Sequence, residues 1–225
     1  MHLHMHLHLT DTMSASEIPD HRIRARINAW FFRAMDGYLH RKYRHLKREL
    51  FGGLPRTVLE IGAGGGANFR YLEPGTHVIA VEPNVHMHAS LRAAAARHRV
   101  TVDVRAAVAE RLPVPDGSVD AVISSLVLCT VTDPKRALAE VRRVLRPDGR
   151  FWCVEHVAAH EESPIARVQR LVRRPWRWFF EGCDTRRDIA GLLREAGFSA
   201  VEITPFTLRT AFLPIRSQIA AVAVR

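Results

Sequence analysis

The sequence predicts an α/β fold, a doubly wound and mostly parallel sheet with helices on its faces. Three observations carry this expectation. Short runs of β-branched and aliphatic residues alternate with longer helical stretches from Thr57 onward. The first run, Thr57-Val58-Leu59-Glu60-Ile61, stops at a loop holding Gly62, Gly64, Gly65 and Gly66. The second, Val78-Ile79-Ala80-Val81, ends at Glu82, about 20 residues beyond Gly62.

The elements follow in order. Residues 21–50 read as one or two amphipathic helices, because Ile27, Trp30, Phe31, Met35, Tyr38 and Leu39 recur near helical spacing. They are expected to cap the ligand cleft. Residues 57–61 form the first strand, and 67–72 begin the helix after it. Residues 78–82 are the second strand and 85–97 its alanine-rich crossover helix. Residues 100–105 are the third strand. Residues 119–124 are the fourth, introduced by the turn Pro115-Asp116-Gly117-Ser118. Asp133 can accept from free N–H groups and Pro134 suits a first helical position, so a helix is expected over 134–145. Residues 151–157 are the fifth strand. Residues 165–180 are a basic amphipathic segment broken near Pro175. Residues 185–196 are a helix stopped by Gly197, and 200–205 with 217–224 close the sheet.

The chain reads as one domain over 21–225, comprising a helical cap at 21–50 and a core at 57–225 with an insertion at 160–184. Residues 1–20 read as a disordered, His-rich tail, whose alternating histidines offer metal binding as the other reading. At 225 residues, 47% of them hydrophobic, the chain can bury a large core. No window has the 18 or more apolar residues of a membrane span, and the N-terminus has no signal-peptide pattern. Cys129, Cys153 and Cys183 are widely spaced with no C-x-x-C, which argues against a disulfide framework and for a reducing cytoplasm. No metal site is expected.

The formal net charge is +10. The excess clusters at Arg22, Arg24, Arg26, Arg33 and the run 40–48, and again at Arg167, Arg170, Arg173, Arg174 and Arg177 among Trp176, Trp178, Phe179 and Phe180. Two readings stand: a solvated helix face, or a cap lying on an anionic membrane surface, where aromatics among cations are at home.

The loop and Glu82 predict a nucleoside-containing cofactor. Glycine tolerates positive φ and lets a ligand approach the main chain, and Glu82 can accept from both ribose hydroxyls. Gly62, Gly64 and Ala67 also fit the loose dinucleotide pattern, so a nicotinamide cofactor is the alternative. Glu60 argues against it: a carboxylate there repels a pyrophosphate and suits a cation. S-adenosyl-L-methionine carries an ammonium and a sulfonium and no phosphate.

The E-x-G-x-G-x-G of Glu60, Gly62, Gly64 and Gly66 resembles the first motif of class I methyltransferases. Leu145-Arg146-Pro147-Asp148-Gly149-Arg150 and Leu192-Leu193-Arg194-Glu195-Ala196-Gly197-Phe198 extend the likeness to the C-terminus. Ser125-Leu126-Val127-Leu128-Cys129-Thr130-Val131, Glu155-His156-Val157-Ala158-Ala159 and Phe180-Glu181-Gly182-Cys183-Asp184-Thr185-Arg186 resemble segments of the methyltransferase-like alkyl thiol S-methyltransferases. Animal members of that family carry an apolar N-terminal anchor, where this sequence has basic helices.

The resemblance implies a Rossmann-like, seven-stranded sheet with the last strand antiparallel. It implies that Gly62 and Gly64 face the methionine part of the donor and that Glu60 acts on its ammonium. It also implies that Ala109-Glu110-Arg111-Leu112 faces the adenine, with the Ala109 N–H as donor. Many relatives have an acid where Val108 stands, so Glu110 either supplies the bond to the adenine amino group or has a helix-capping or surface role. Residues 124–129, Ser125 among them, are expected to flank the methyl group. Cys129 is either a chemical participant or a small apolar filler. His156 is either the proton acceptor or a structural histidine. Asp184 either caps a helix from Thr185 or lines the acceptor pocket with Cys183.

The expected reaction is an in-line displacement at the sulfonium methyl, on a small acceptor. A thiol suits the positive charge best, because a few per cent of a free thiol is already thiolate at neutral pH. O-, N- or C-methylation of a small metabolite is the alternative. RNA methylation ranks lower, and the fourth strand reads Ser124-Ser125-Leu126-Val127 in place of the Asn/Asp-Pro-Pro-aromatic motif of amino-directed DNA enzymes. A membrane-attached cofactor scaffold without turnover and an arsenic methyltransferase complete the field.

Overall fold

The computed structural model describes residues 22–225. The disordered tail expected over 1–20 lies outside them.

Helix α1 (Arg22–Phe51) precedes the sheet. The strands are β1 (Thr57–Ile61), β2 (His77–Val81), β3 (Thr101–Arg105), β4 (Val119–Ser125), β5 (Leu145–His156), β6 (Ala200–Thr207) and β7 (Ser217–Val224). Between them lie α2 (His88–His98), α3 (Pro134–Val144), α4 (Pro164–Phe179) and α5 (Ile189–Glu195). The strands form one sheet in the order β3-β2-β1-β4-β5-β7-β6. β1 to β5 pair in parallel, and β7 runs antiparallel to both β5 and β6. The doubly wound, seven-stranded sheet with an antiparallel last strand is therefore the observed architecture.

β1 and β4 sit at the centre, and their aliphatic residues are covered on both sides. Val58, Leu59, Ile61, Val122 and Ile123 are fully buried. A strand buried on both faces needs such a near-continuous apolar run. Each of these side chains contributes about 1.5–3 kcal/mol by leaving water. Leu138, Val141 and Ile189 pack against one face, and Tyr43, Phe51 and Ile215 against the other. The chain winds outward from β1 to β3 and then returns to β4. The order thus reverses between β1 and β4, the place where ligands bind in such sheets.

Several boundaries differ from expectation. No α-helix follows the glycine loop: residues 67–72 hold only a 3₁₀ turn, Phe69–Tyr71. The Asn68 side chain is held inward and Pro74-Gly75 follow at once, so a longer helix has no room. The segment expected to break near Pro175 is one continuous helix, α4. Pro175 is exposed, as is Leu171 one turn before it. The helix expected from Thr185 starts only at Ile189, where Asp188 accepts from the Gly191 N–H at 2.9 Å. Asp184 is therefore not its cap. Asp133 does cap α3, accepting from the Arg136 N–H at 3.0 Å.

Residues 22–51 form a single helix whose ends do different work. Near its start, Asn28 donates to the Phe179 carbonyl at 2.8 Å, and Phe31 meets the rings of Phe179 and Phe180 edge-on. Ile27 and Trp30, expected to face the cleft, are exposed instead. Further along, Tyr43 and Lys47 are buried against the sheet.

Candidate active site

The loop after β1 is held by three glycines at positive φ. Gly62 (φ 61°) donates its N–H to the Val81 carbonyl at 2.8 Å. A Cβ there would lie 2.4 Å from Val127 Cγ2, on the loop after β4, so no side chain fits. Gly66 (φ 80°) is turned away from the cleft, against Ala94 and Phe69. Gly64 (φ 56°) has open space where a Cβ would stand. Its N–H donates to Glu82 Oε2 at 2.8 Å, and the Asn84 N–H donates to Glu82 Oε1 at 2.8 Å. Glu82 thus pins the loop from the end of β2, and burial pushes its carboxyl above the ordinary range.

Behind the loop lies a buried polar chain. Lys47 Nζ donates to Asn68 Oδ1 at 2.8 Å, and Asn68 Nδ2 donates to Glu60 Oε1 at 2.7 Å. Burial pushes the Glu60 carboxyl up to about 7, against the opposing pull of Asn68 and Lys47. Burial pushes Lys47 down to about 8. Glu60 Oε2 is buried with no hydrogen-bond partner among the described residues. An orphaned carboxylate oxygen in such a place is costly unless a donor or cation meets it. An open glycine loop flanked by that oxygen and by Glu82 fits the ammonium and ribose of an adenosyl sulfonium. Lys47 and Asn68 are missing from the sequence-based site. Asn68 closes the glycine motif, and Lys47 lies in a run that reads as a solvated helix face or a membrane-surface cap.

The ends of β4 and β5 lie beside that loop, with Ser124 opposite Ile61 and Val154 opposite Ser125. Glu155 is fully buried and accepts from Ser124 Oγ at 2.9 Å and from the Val127 and Leu128 N–H groups at 3.0 and 3.1 Å. It fixes the turn in which Leu126 takes φ 62°. Ser125 Oγ, Glu155 Oε2 and His156 Nδ1 are buried without a hydrogen-bond partner among the described residues, so this end has polar groups that a bound molecule could satisfy.

Cys129, His156 and Cys183 come together although they lie far apart in sequence. His156 Nε2 is 3.0 Å from Cys183 Sγ, and Cys183 Sγ is 3.6 Å from Cys129 Sγ. The Trp176 indole N–H donates to Cys183 Sγ at 3.3 Å. The hydrogen bond from Cys183 and burial together push the Cys129 thiol well up. Asp184 points elsewhere: its carboxylate pairs with Arg173 at 2.7 Å, while its N–H donates to the Cys129 carbonyl at 2.8 Å. Ala109 is buried on the turn after β3. Glu110 is directed away to the loop after β4, accepting from the Thr132 and Asp133 N–H groups at 2.8 and 3.1 Å.

Known proteins resemble this chain closely enough to place it. A family model described as a methyltransferase domain matches residues 59–153. Thiol S-methyltransferase TMT1A from Homo sapiens is 36% identical over 190 residues, 80% of this chain and 78% of that protein. Thiol S-methyltransferase TMT1B from Homo sapiens is 34% identical over 197 residues, 83% of this chain and 81% of that protein. A SAM-dependent methyltransferase from Thermotoga maritima superposes with a TM-score of 0.64 at 22% identity, covering 90% of this chain and 97% of that one. That last likeness concerns the fold. The chain therefore belongs to the methyltransferase family that includes TMT1A and TMT1B, and its methyl donor is S-adenosylmethionine.

Proposed function

We propose that this enzyme methylates the sulfur of a small-molecule thiol. The observation that carries the acceptor class is the identity of about a third, across four fifths of the chain, with proteins named thiol S-methyltransferases. The cleft chemistry agrees with it.

In this reading the donor lies along the loop after β1. Gly62 and Gly64 give it backbone contact, Glu60 receives the ammonium, Glu82 holds the ribose hydroxyls and the Ala109 N–H meets the adenine. Gly66 acts indirectly, by seating the loop on α2. Bound there, the donor supplies an electrophilic methyl group. Ser125 and the turn after β4 border the reacting centre. His156 is oriented by its bond to Cys183: with the Nε2 proton directed at that sulfur, Nδ1 keeps a lone pair to take the acceptor's proton. The new C–S bond forms as the methyl–sulfonium bond breaks, giving a thioether and S-adenosylhomocysteine. Cys129 and Asp184 hold Cys183 and its loop and thereby act as positioning residues. Alignment of two reactants can supply roughly 7–11 kcal/mol of such a barrier. A thiol with a pKa of about 8.5 asks little more of a base.

Labelled methyl donor with a panel of alkyl thiols, phenols and amines tests the acceptor class. Turnover on alkyl thiols should exceed that on phenols and amines at least tenfold. Preference for a phenol or an amine would sink the sulfur assignment.

We also propose that the face formed by α1 and α4 meets an anionic membrane surface. Ile23, Trp30, Leu171 and Trp178 are exposed there at 79, 61, 83 and 68%. Arg24 ties the two helices through the Trp178 carbonyl at 3.2 Å, and Arg26, Arg33, Arg174 and Arg177 lie on the same helices. Apolar rings among guanidinium groups suit a headgroup layer. The protein should sediment with phosphatidylserine-containing vesicles, lose that binding in high salt and weaken in a Trp30→Ala/Trp178→Ala variant. Equal binding to neutral phosphatidylcholine vesicles would refute the electrostatic part of the proposal. Among the described residues, no helix is long and apolar enough to cross a membrane.

A further inference from the structure

We infer that Cys129, His156 and Cys183 form a binding site for one thiophilic divalent metal ion of the zinc type. All three are at most 7% exposed, and their ligand atoms lie within 4.8 Å of one another. A tetrahedral zinc ion, with bonds of about 2.3 Å to sulfur and about 2.0–2.1 Å to nitrogen, sets sulfur atoms about 3.8 Å apart and sulfur and nitrogen about 3.6 Å apart. The observed separations of 3.6 Å between the sulfurs and 3.0 Å between His156 Nε2 and Cys183 Sγ reach those values by movements of a few tenths of an ångström.

A disulfide is the competing use of the same sulfurs. It requires the 3.6 Å gap to close to about 2.05 Å, by far the larger displacement for two buried residues held on separate loops. Each loop is fixed. The Asp184 N–H holds the Cys129 carbonyl at 2.8 Å, and His156 is the last residue of β5. The Trp176 N–H at 3.3 Å from Cys183 Sγ is the kind of outer donor that steadies a ligating thiolate.

The balance of charge is simple. Two thiols release two protons as the ion binds, and neutral His156 supplies its Nε2 lone pair. Three protein ligands leave a fourth position for water or an exogenous thiolate. The ion also places the remaining ring proton on Nδ1, so a loaded protein should lose His156 as proton acceptor. This last consequence rests on the proposed role of His156 in methyl transfer. A loaded enzyme at full rate would count against that role and leave the site itself standing.

Cobalt(II) titration of the full-length, reduced protein tests the site. Thiolate-to-cobalt charge-transfer absorption reports sulfur ligands alone, so the histidines between His2 and His8 cannot produce it. The band should saturate at one equivalent, and zinc should abolish it. Cys153→Ser, in a strand interior, should keep the band at full intensity. Cys129→Ser and Cys183→Ser should each cut it by half or more, and His156→Gln should weaken cobalt affinity at least tenfold. Melting curves recorded without metal verify that each variant is folded. A wild-type protein with no charge-transfer band, or a folded Cys183→Ser variant with an undiminished one, would overturn the inference.

Discussion

Glu82→Ala should weaken binding of S-adenosylhomocysteine by about a hundredfold to ten-thousandfold, read by calorimetry. The reasoning starts from the two anchors of the carboxylate. Its oxygens already accept from Gly64 and Asn84, both at 2.8 Å, so the group is fixed before any ligand arrives. Each oxygen retains a lone pair, and two ribose hydroxyls can meet them. A hydrogen bond to a charged group is worth about 1.5–3 kcal/mol, and each 1.4 kcal/mol is about tenfold in affinity. Glu82→Gln separates the two duties of the side chain. It retains one acceptor oxygen for the loop and loses the charge, so its affinity should fall between wild type and Glu82→Ala. Unchanged affinity in Glu82→Ala would remove the ribose from this residue.

The second large effect concerns Glu60 and pH. Its carboxyl is pushed up to about 7 in the free protein, and a ligand ammonium favours the ionised form. Below about pH 7, binding must therefore first expel a proton. Wild-type affinity should fall as pH drops from 7, approaching tenfold per unit, and should flatten above 7 as far as this group is concerned. Glu60→Gln keeps the shape and the bond from Asn68 but cannot ionise. At pH 7.5 it should bind about ten- to a hundredfold more weakly than wild type, by the loss of one charge-assisted contact. Between pH 5.5 and 7 its affinity should be nearly level, so the two curves converge in acid. A Glu60→Gln variant with the same slope as wild type would show that another group controls the acid limb.

Much of the sheet was legible because its signals are local. β1 and β4 are rich in aliphatics, broken only by Glu60 in one and by Asp120 and the closing serines in the other, and the residues around Gly62 and Glu82 announce a turn and an acid at the right separation. The Asp133-Pro134 pair marked the start of α3 for an equally local reason. The misses are long-range. Lys47 lies inside a cationic run, and only the packing of α1 on the sheet takes it out of water to reach Asn68. The helix expected after the glycine loop is absent because the Asn68 side chain turns inward, a preference no helical periodicity reveals. Cys129 and Cys183 stand 54 residues apart with no motif between them, yet the return of the chain after α4 sets one sulfur beside the other. Asp184 reads as a helix cap or as an acceptor-pocket residue beside Cys183; its carboxylate pairs with Arg173, eleven residues earlier on α4.

The bare α-carbon of Gly62 lies against the methyl groups of Val127, and the Val127 N–H is in turn secured by Glu155. The loop after β1 and the loop after β4, which we propose receive the donor and border the acceptor, are consequently one mechanical unit. Exchanging Val127 for a bulkier side chain, to narrow the range of accepted molecules, would press directly on the bend at Gly62. The segment that carries Cys183 is tied to the same loop, through the Asp184 N–H on the Cys129 carbonyl at 2.8 Å and Arg187 on the Leu128 and Val131 carbonyls at 2.6 and 2.7 Å, so a change there is also felt at the bend.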